Sequence, residues 1–578
     1  MRPSSPHALP IGTSQPPNDA HAVSVSLPTW HSIVSWSRRE PWVVSQMKSG
    51  YPRLFINTII QELGAKVLER LQLNNGGCAC TIMPSLAAAE RLVEALAAAK
   101  GPDEFISPCV RFTYPNTKDR ESVEDGTRWA TFYAIVHHSR MQQVALAFWR
   151  ETGDGITSRH AEFALERFSF LESQCVDVAF RSKPAKVLSD GYANSDTTGN
   201  ENGNGNGNGN GDEVASARTK MKLPPPATTM TEVAAIKSLI ARCAASEDPA
   251  QPPARQKDIF LYAKGLSGIF AVARSLVPQG SAAKDSQVVI YGWPYAETVK
   301  CVERSGWGNV ILYGHGTAED LDDLEARLDN GQRIQALFCE LPSNPQLASP
   351  DLHRIRRLAD QHGFVVACDE TLGTFVNVDV LPFVDVAMTS LTKIFSGASN
   401  VMGGSVLLNP RSKHYDGLYS RLDAEWEDIL FPGDITVLAQ NCRDFVERVK
   451  YCSHTALAVA ELLSRHPAVH KVHYPSLVPT RYLYDRYRRP DGGYGYVLSI
   501  VFRDARVAVK FYDDLDVCKG TSIGTNFTLA VPYAQLAHFR ELDLAERNGV
   551  PKHIVRISVG CDDSEKLLAR VRDALEGT

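Results

Sequence analysis

The fold is decided by the stretch Val384-Asp385-Val386-Ala387-Met388-Thr389-Ser390-Leu391-Thr392-Lys393, in which an apolar run leads through two hydroxyls to a single lysine. This order is typical of a buried strand that delivers a side-chain amine to a site. Burial beside apolar residues lowers the pKa of a lysine, so that its amine can act as a nucleophile and form a Schiff base. Ser390 and Thr392 can donate hydrogen bonds to a phosphate. A surface lysine after an edge strand has the same short pattern, so other motifs must decide.

A second predicted strand indicates the same site. Phe364-Val365-Val366-Ala367-Cys368 is apolar throughout and is followed by Asp369-Glu370-Thr371. Such a strand is typical of a buried parallel sheet, and open α/β sheets bind ligands at the carboxyl ends of their strands. We therefore expect Asp369 to face the site, although an acid after a strand is also typical of a helix cap or a loop. An acid there can hold the ring nitrogen of pyridoxal phosphate protonated, so that the ring acts as an electron sink.

An anion site is predicted where Gly265 and Gly268 open an apolar helix. The free amides and the positive dipole end of a helix N-terminus bind phosphate. Gly265 and Leu266 would supply those amides. A close-packed helix start with no ligand is the alternative.

Two further motifs each follow an apolar strand, and we expect both at the sheet edge that holds Asp369. The first is Tyr291-Gly292-Trp293-Pro294-Tyr295, and the second is Glu340-Leu341-Pro342-Ser343-Asn344-Pro345. Together the motifs would surround one site.

In this order the motifs resemble those of the Cys/Met-metabolism family of pyridoxal-phosphate enzymes, and within it the fungal-type cystathionine gamma-synthases. The family pattern is a glycine turn, Y-G, E-x-P-S-N-P, D-x-T, S-x-T-K and a late R-[IL]-S-V-G. The late elements here are Gly524-Thr525-Asn526-Phe527-Thr528 and Val555-Arg556-Ile557-Ser558-Val559-Gly560. Six ordered motifs are far more specific than any one of them.

The resemblance implies a role for each matching residue. Lys393 would attach the cofactor covalently, and Asp369 would pair with its ring nitrogen. Tyr291 would stack on the ring and assist proton transfer at the leaving group. Thr371, in the D-x-T motif, is a further cofactor-binding residue. Gly265, Leu266, Ser390 and Thr392 would hold the phosphate, and Asn344, Thr528 and Arg556 would bind the substrate carboxylate and the cofactor's ring oxygen. Arg556 suits a carboxylate because its planar guanidinium binds it in a bidentate manner.

One family element does not match the residues expected to supply it. The family carries a Y-x-R motif on an arm that reaches the phosphate of the neighbouring subunit, and here Glu166-Arg167-Phe168-Ser169-Phe170 has phenylalanine in place of the arginine. Arg167 or Arg218 is a candidate substitute. Lys264, which replaces a small polar residue beside the phosphate turn, is another source of positive charge.

Composition divides the chain into five parts. The proline- and serine-rich start is predicted to be disordered, and the run of alternating Asn and Gly from Asn202 to Gly211 has no apolar side chain to bury. After it, helices and strands alternate as in a mostly parallel, doubly wound α/β sheet. The predicted parts are a disordered tail (1–22), an N-terminal α/β module (23–181), a linker (182–228), a large cofactor-binding domain (229–455) and a small C-terminal α/β domain (456–578). The resemblance implies fold type I, the aminotransferase-like architecture.

The remaining features favour a small-molecule enzyme. The net charge is only -5 over 578 residues, with no basic stripe, so we expect no nucleic-acid partner. No apolar run reaches the roughly 18 residues that a membrane helix needs. The twelve cysteines are scattered and no secretory pattern follows Met1, so we expect reduced thiols and a cytoplasmic protein. The side chains of His137 and His138 would point to opposite faces of a strand, so we predict no metal site there.

The resemblance implies gamma-replacement on an O-acyl-L-homoserine by a thiol such as L-cysteine, which gives cystathionine in trans-sulfuration and methionine biosynthesis. It also implies a homodimer or homotetramer with active sites at the dimer interface. Two alternatives share the fold: a specialised gamma-substitution of secondary metabolism with another nucleophile, and a carbon-sulfur beta- or gamma-lyase. A catalytically inactive regulatory homologue is an alternative of another class.

Overall fold

The computed structural model describes residues 9–74, 76–115, 127–177, 223–224 and 226–577. Most of the predicted linker, Arg218 and the first eight residues of the predicted tail lie outside these ranges. The helix that starts at Pro226 begins within the predicted linker.

The N-terminal segment packs against the C-terminal part of the chain. Its elements are β1 (Ser14–Gln15), β2 (Ser24–Val25), α1 (Trp30–Ser37) and α2 (Pro41–Val44). Gln15 is buried and donates from Nε2 to the carbonyl oxygen of Lys519, and the Tyr512 hydroxyl donates to the carbonyl oxygen of Leu27. The predicted disorder is therefore wrong from Leu9 onward, because tertiary contacts order a segment that has no apolar period of its own. Residues 23 to about 55 likewise pack on the C-terminal core rather than in the predicted N-terminal module.

The N-terminal module is an antiparallel sheet with helices on it. Its elements are α3 (Thr58–Arg70), β3 (Cys78–Met83), α4 (Leu86–Ala99), β4 (Cys109–Thr113), β5 (Phe132–His138), α5 (Gln142–Thr152), α6 (Ser158–Arg167) and β6 (Glu172–Val176), with strand order β3-β5-β4-β6. The apolar run Val144–Trp149 predicts a strand. This prediction is wrong, because α5 occupies the segment. Ala145, Phe148, Trp149 and Thr152 are buried at helical spacing along one face.

The central part contains the sheet that positions the site. Its elements are α7 (Pro226–Cys243), β7 (Ile259–Tyr262), α8 (Gly265–Ser275), β8 (Gln287–Tyr291), α9 (Ala296–Arg304), β9 (Asn309–Tyr313), α10 (Ala318–Asp329), β10 (Ala336–Glu340), α11 (Leu352–His362), β11 (Val365–Asp369), α12 (Thr374–Asn377), β12 (Val386–Thr389), β13 (Gly404–Leu408), α13 (Tyr415–Glu425), α14 (Pro432–Asn441) and α15 (Phe445–Ser464). The strand order is β7-β13-β12-β11-β10-β8-β9. Neighbouring strands from β12 to β9 are parallel. Strand β13 pairs antiparallel with both β12 and β7. The predicted mostly parallel α/β sheet is confirmed.

The start of α11 differs from the start that its sequence predicts. Ser349 followed by Pro350 predicts an N-cap and a first helical residue, but α11 begins at Leu352. The Asp351 side chain caps it instead by accepting a hydrogen bond from the Arg354 amide (3.1 Å). Asp, like Ser, is a preferred N-cap residue.

The C-terminal part is a second sheet covered by helices. Its elements are β14 (Val469–His473), α16 (Arg481–Tyr487), β15 (Val497–Phe502), α17 (Ala505–Asp514), β16 (Cys518–Lys519), β17 (Leu529–Pro532), α18 (Tyr533–Ala537), α19 (Leu542–Arg547), β18 (Val555–Ser558) and α20 (Ser564–Glu576), with strand order β14-β15-β18-β17-β16. The predicted boundary at 455/456 falls inside α15. Within the part of the chain that the structure describes, every helix is too short or too polar to cross a membrane.

Candidate active site

A cavity lies at the carboxyl edge of the central sheet, where parallel strands β10, β11 and β12 end. Eight of the residues predicted for the site line it: Gly265, Leu266, Asn344, Asp369, Thr371, Ser390, Thr392 and Lys393. The strands bring together motifs that are up to about 130 positions apart in sequence, as the sheet-edge rule predicts.

Lys393 extends from the turn after β12 into this cavity. Its side chain is buried, donates from Nζ to the Ser522 hydroxyl (3.3 Å), and places Nζ 4.1 Å from the centre of the Tyr51 ring. Burial lowers the pKa of Lys393, and Arg556 and Arg53 lower it further, against a raising effect of Tyr51. This amine is therefore easier to deprotonate than an exposed lysine, as a nucleophile or a base requires.

Two carboxyl groups meet on adjacent strands. Asp369 at the end of β11 is the register partner of Glu340 at the end of β10. Burial raises the pKa of both, and for Glu340 the nearby Asp369 raises it further. Glu340 accepts from the amides of Tyr295 (2.6 Å) and Asn344 (3.2 Å), whereas Asp369 accepts from the amide of Thr371 (2.9 Å). A cation next to Asp369 would keep that carboxylate ionised.

The start of α8 closes one end of the cavity. Its N-cap residue, Lys264, makes no side-chain hydrogen bond to the first turn, so the amides there are uncapped. The helix start lies directly against Ser390: a Cβ added to Gly265 would be 2.7 Å from the Ser390 Cβ. Glycine is therefore needed for this approach. Gly265, Leu266, Ser390 and Thr392 border the same space, and the Thr392 hydroxyl also bonds to the backbone of Gly403.

Arg556 lies behind the wall of the cavity, on β18. Its guanidinium donates to the Asn344 side-chain oxygen (3.2 Å) and lies over the Tyr533 ring (4.7 Å). Burial lowers the pKa of Arg556 to about 10, so the group stays cationic at neutral pH. Among the described residues, no carboxylate lies within 4 Å of it. A buried cation without a carboxylate is suited to receiving an anionic group.

The structure corrects the prediction for Tyr291. Its hydroxyl donates to the carbonyl oxygen of Thr317 (2.8 Å), and its ring packs in the apolar core rather than lining the cavity. The chain turns at Gly292 (φ 85°), and Tyr295, four residues further on, lines the cavity instead. The Y-G motif therefore identifies the right segment, and the tyrosine in the cavity is the second one.

Thr528 is also placed away from the cavity. Its hydroxyl accepts from the Gly560 amide (3.0 Å), and its own amide donates to Asp562 (2.6 Å). These contacts hold the loop before β17 against the end of β18. From the segment before this loop, Ile523 lines the cavity and Ser522 accepts a hydrogen bond from Lys393. The sequence analysis names neither residue.

Sequence reasoning also missed Tyr51 and Arg53. Both line the cavity, and Arg53 pairs with Glu297 (2.9 Å) while it lies over the Tyr295 ring (5.4 Å). Tyr51-Pro52-Arg53 matches the Y-x-R pattern and is therefore a further candidate for the arginine expected at Glu166–Phe170. Arg167, one of the two arginines considered as a substitute, lies on α6 with its guanidinium over Phe163 (3.5 Å).

We expect substitutions of Tyr291 and Tyr295 to have different effects on kcat/KM and on thermal stability. Tyr295→Phe removes a hydroxyl at the cavity and should lower kcat/KM by about tenfold, since loss of one buried hydrogen-bonding group costs roughly 1 to 3 kcal/mol. Tyr291→Phe should leave kcat/KM within about twofold and lower thermal stability, because its hydroxyl bonds only to the Thr317 carbonyl. Steady-state kinetics and thermal unfolding of both variants decide, and the reverse pattern would restore Tyr291 to the site.

Comparison with known families gives two matches. Residues 254–576 match the model described as Cys/Met metabolism PLP-dependent enzyme. Residues 59–157 match the fungal trans-sulfuration enzyme, N-terminal domain.

Individual relatives extend over nearly the whole chain. The cystathionine gamma-synthase-like protein ankD of Aspergillus thermomutatus is 45% identical over 573 residues, covering 99% of this chain and 95% of the relative. The cystathionine gamma-synthase of Neurospora crassa is 35% identical over 612 residues, covering 96% of each.

A solved structure shows the fold. The cystathionine gamma synthase from Xanthomonas oryzae pv. oryzae, crystallised with aminoacrylate and cysteine, superposes with a TM-score of 0.51 at 22% identity. It covers 60% of this chain and 85% of that one. The predicted fold type I architecture is confirmed.

Proposed function

The chain belongs to the Cys/Met metabolism family of pyridoxal-phosphate-dependent enzymes, and from this premise we propose that it catalyses gamma-replacement on an O-acyl-L-homoserine by a thiol such as L-cysteine. The observation that carries the proposal is the convergence of a buried amine (Lys393), a partly buried acid (Asp369) and an uncapped helix start (Gly265) on one cavity. The name of the Neurospora crassa relative supports the choice of reaction.

The residues present fit the cofactor. Gly265 leaves room where a Cβ would collide with Ser390, and that space is bordered by donors suited to a phosphate. Asp369 has the position and chemistry to bind a protonated ring nitrogen. Lys393 would hold the aldehyde carbon covalently. When bound, pyridoxal phosphate supplies an electron sink for negative charge at the substrate's Cα and Cβ.

The protein's own groups bind the substrate and move protons. Arg556 would bind the α-carboxylate through its guanidinium, with Asn344 beside it. Lys393, whose pKa is lowered by burial, would take the Cα proton, give it up to the bound cofactor, and then take a Cβ proton. Ser522 and Tyr51 orient its amine from two sides.

The bonds balance without an oxidant or reductant. The Cγ–O bond breaks and the acyl group leaves as a carboxylate, while the thiol loses its proton to solvent and forms the Cγ–S bond. Lys393 returns the protons to Cβ and Cα. The product is cystathionine when the thiol is cysteine.

Product analysis with purified protein tests the proposal. O-acetyl- and O-succinyl-L-homoserine are each incubated with cysteine, homocysteine, or no thiol, and thioether and ammonia are measured separately. The proposal predicts a thioether that requires the thiol and equals the acylate released. Ammonia and 2-oxobutanoate from either ester, with no thioether, would indicate a lyase instead.

The remaining expectations are part of the same proposal. A role in methionine biosynthesis, a cytoplasmic location and a homodimer or homotetramer with sites at the dimer interface would suit this activity. Sedimentation velocity measures the oligomeric state. Tyr51 and Arg53 line the cavity of their own chain here, so a fully active monomer is the result that would remove the interface from the proposal.

A further inference from the structure

The N-terminal module borders the cavity with the end of α5 and with the loop that follows it. This loop, Gly153–Gly155, follows α5 and lies at the start of α8. Lys264 donates from Nζ to the carbonyl oxygens of Gly153 (2.8 Å) and Gly155 (2.5 Å), and the Ser267 hydroxyl also donates to Gly153 (3.0 Å). The module therefore holds the residue that precedes the uncapped amides.

The loop is shaped for this close contact. Gly153 has φ 74°, a conformation that favours glycine, and a Cβ there would lie 2.7 Å from the Ser267 hydroxyl. The Trp149 ring lies 4.8 Å from the Lys264 ammonium. The ammonium is thus held by two carbonyl dipoles and an aromatic face, all of them from the N-terminal module.

The charge of Lys264 lacks an ionic partner. Its side chain is 7% exposed, and no carboxylate lies within 4 Å of its ammonium in the ranges that the structure describes. Burial lowers its pKa to about 8, with Asp154 and Asp434 raising it from a distance. Arg53 and Arg150 line the same cavity, but both pair with Glu297.

A buried ammonium without a carboxylate is costly unless an anion compensates it. The adjacent amides of α8 also favour an anion, so two features at this end of the cavity favour negative charge. An ammonium has three donor hydrogens, and the two carbonyl oxygens use two of them.

We propose that Lys264, oriented by the Gly153–Gly155 carbonyls of the N-terminal module, is a counter-charge for the cofactor's phosphate group. This inference rests on the proposed function, since it assumes that pyridoxal phosphate binds in this cavity. In this proposal the N-terminal module has a part in the active site, because it positions the cation that would bind the phosphate.

The test compares two aldehydes that differ only by the phosphate. Cofactor-free full-length protein is titrated with pyridoxal phosphate and with pyridoxal, and binding is followed by absorbance. Lys264→Met should weaken pyridoxal phosphate binding by about tenfold to a hundredfold, as expected for loss of a charge-assisted hydrogen bond. Pyridoxal binding should change by less than about threefold.

Ser267→Ala is the matched control, because it removes the other side-chain bond to Gly153 and keeps the charge. Its preference for the phosphorylated aldehyde should equal that of the unaltered protein. If Lys264→Met weakened the binding of both aldehydes equally, or of neither, the proposal would be overturned. Lys264 would then only attach the N-terminal module to the start of α8. Lys264→Gln, which can still donate to a carbonyl, gives the same comparison if the methionine variant does not fold. Failure of the unaltered protein to bind pyridoxal phosphate would instead contradict the proposed function.

Discussion

Lys393→Ala should abolish turnover and the visible absorption band of a covalently bound cofactor. Its amine is buried in the cavity and has no equivalent among the described lysines that line it except Lys264, which is held by Gly153 and Gly155. Loss of both the attachment point and the proton-transfer group should lower kcat by at least about 10³-fold. Steady-state kinetics and the spectrum before and after borohydride treatment measure the two effects.

Lys393→Arg and Lys413→Ala are the controls for this prediction. The arginine keeps a cation beside Tyr51 and Ser522 but cannot form the covalent bond, so it should be as inactive as the alanine variant. Lys413 is exposed, and its loss should change neither measurement. A borohydride-sensitive band that survives in Lys393→Ala would show that another lysine holds the cofactor.

Arg556→Lys should lower kcat/KM for the amino-acid substrate by about tenfold to a hundredfold. The variant keeps a positive charge and loses the planar pair of donors that binds a carboxylate, an interaction worth roughly 1.5 to 3 kcal/mol. Cofactor retention should be unchanged, because Arg556 contacts Asn344 and Tyr533 rather than the α8 end of the cavity.

Arg547→Lys is the control for replacing an arginine by a lysine at an exposed position away from the cavity. Unchanged kinetics in Arg556→Lys would remove this residue from the substrate site. Loss of the cofactor band with weaker cofactor retention would move it to the phosphate.

Local pattern predicted the central sheet well because its strands are short apolar runs that end at a polar group. The same rule placed Asp369 at the edge where the cavity lies, and the register with Glu340 follows from parallel pairing. The rule specifies where a strand ends but not how the following turn points each side chain. It therefore could not separate Tyr291 from Tyr295, which the turn at Gly292 directs to different surroundings.

Long-range packing accounts for the other differences. Tyr51 and Arg53 reach the cavity from a segment more than 300 residues before Lys393, and their Y-x-R pattern is too short to identify when the expected position lies elsewhere. Val144 to Trp149 is apolar at every position, so this short run alone predicts a strand. The helical spacing of the buried residues becomes visible only in the structure. The order of residues 9–22 comes from contacts with the C-terminal part, which composition does not show.

The most direct test of the proposed reaction is to run it in D₂O with O-acetyl- or O-succinyl-L-homoserine and cysteine, and to locate deuterium in the product by mass spectrometry and NMR. Because Lys393 is proposed to remove and return protons at two carbons, the account predicts cystathionine with deuterium at both Cα and Cβ of the homoserine-derived half. Cystathionine without deuterium at Cβ would indicate direct displacement at Cγ, and deuterated 2-oxobutanoate without any thioether would indicate elimination. Either result would contradict gamma-replacement by this site.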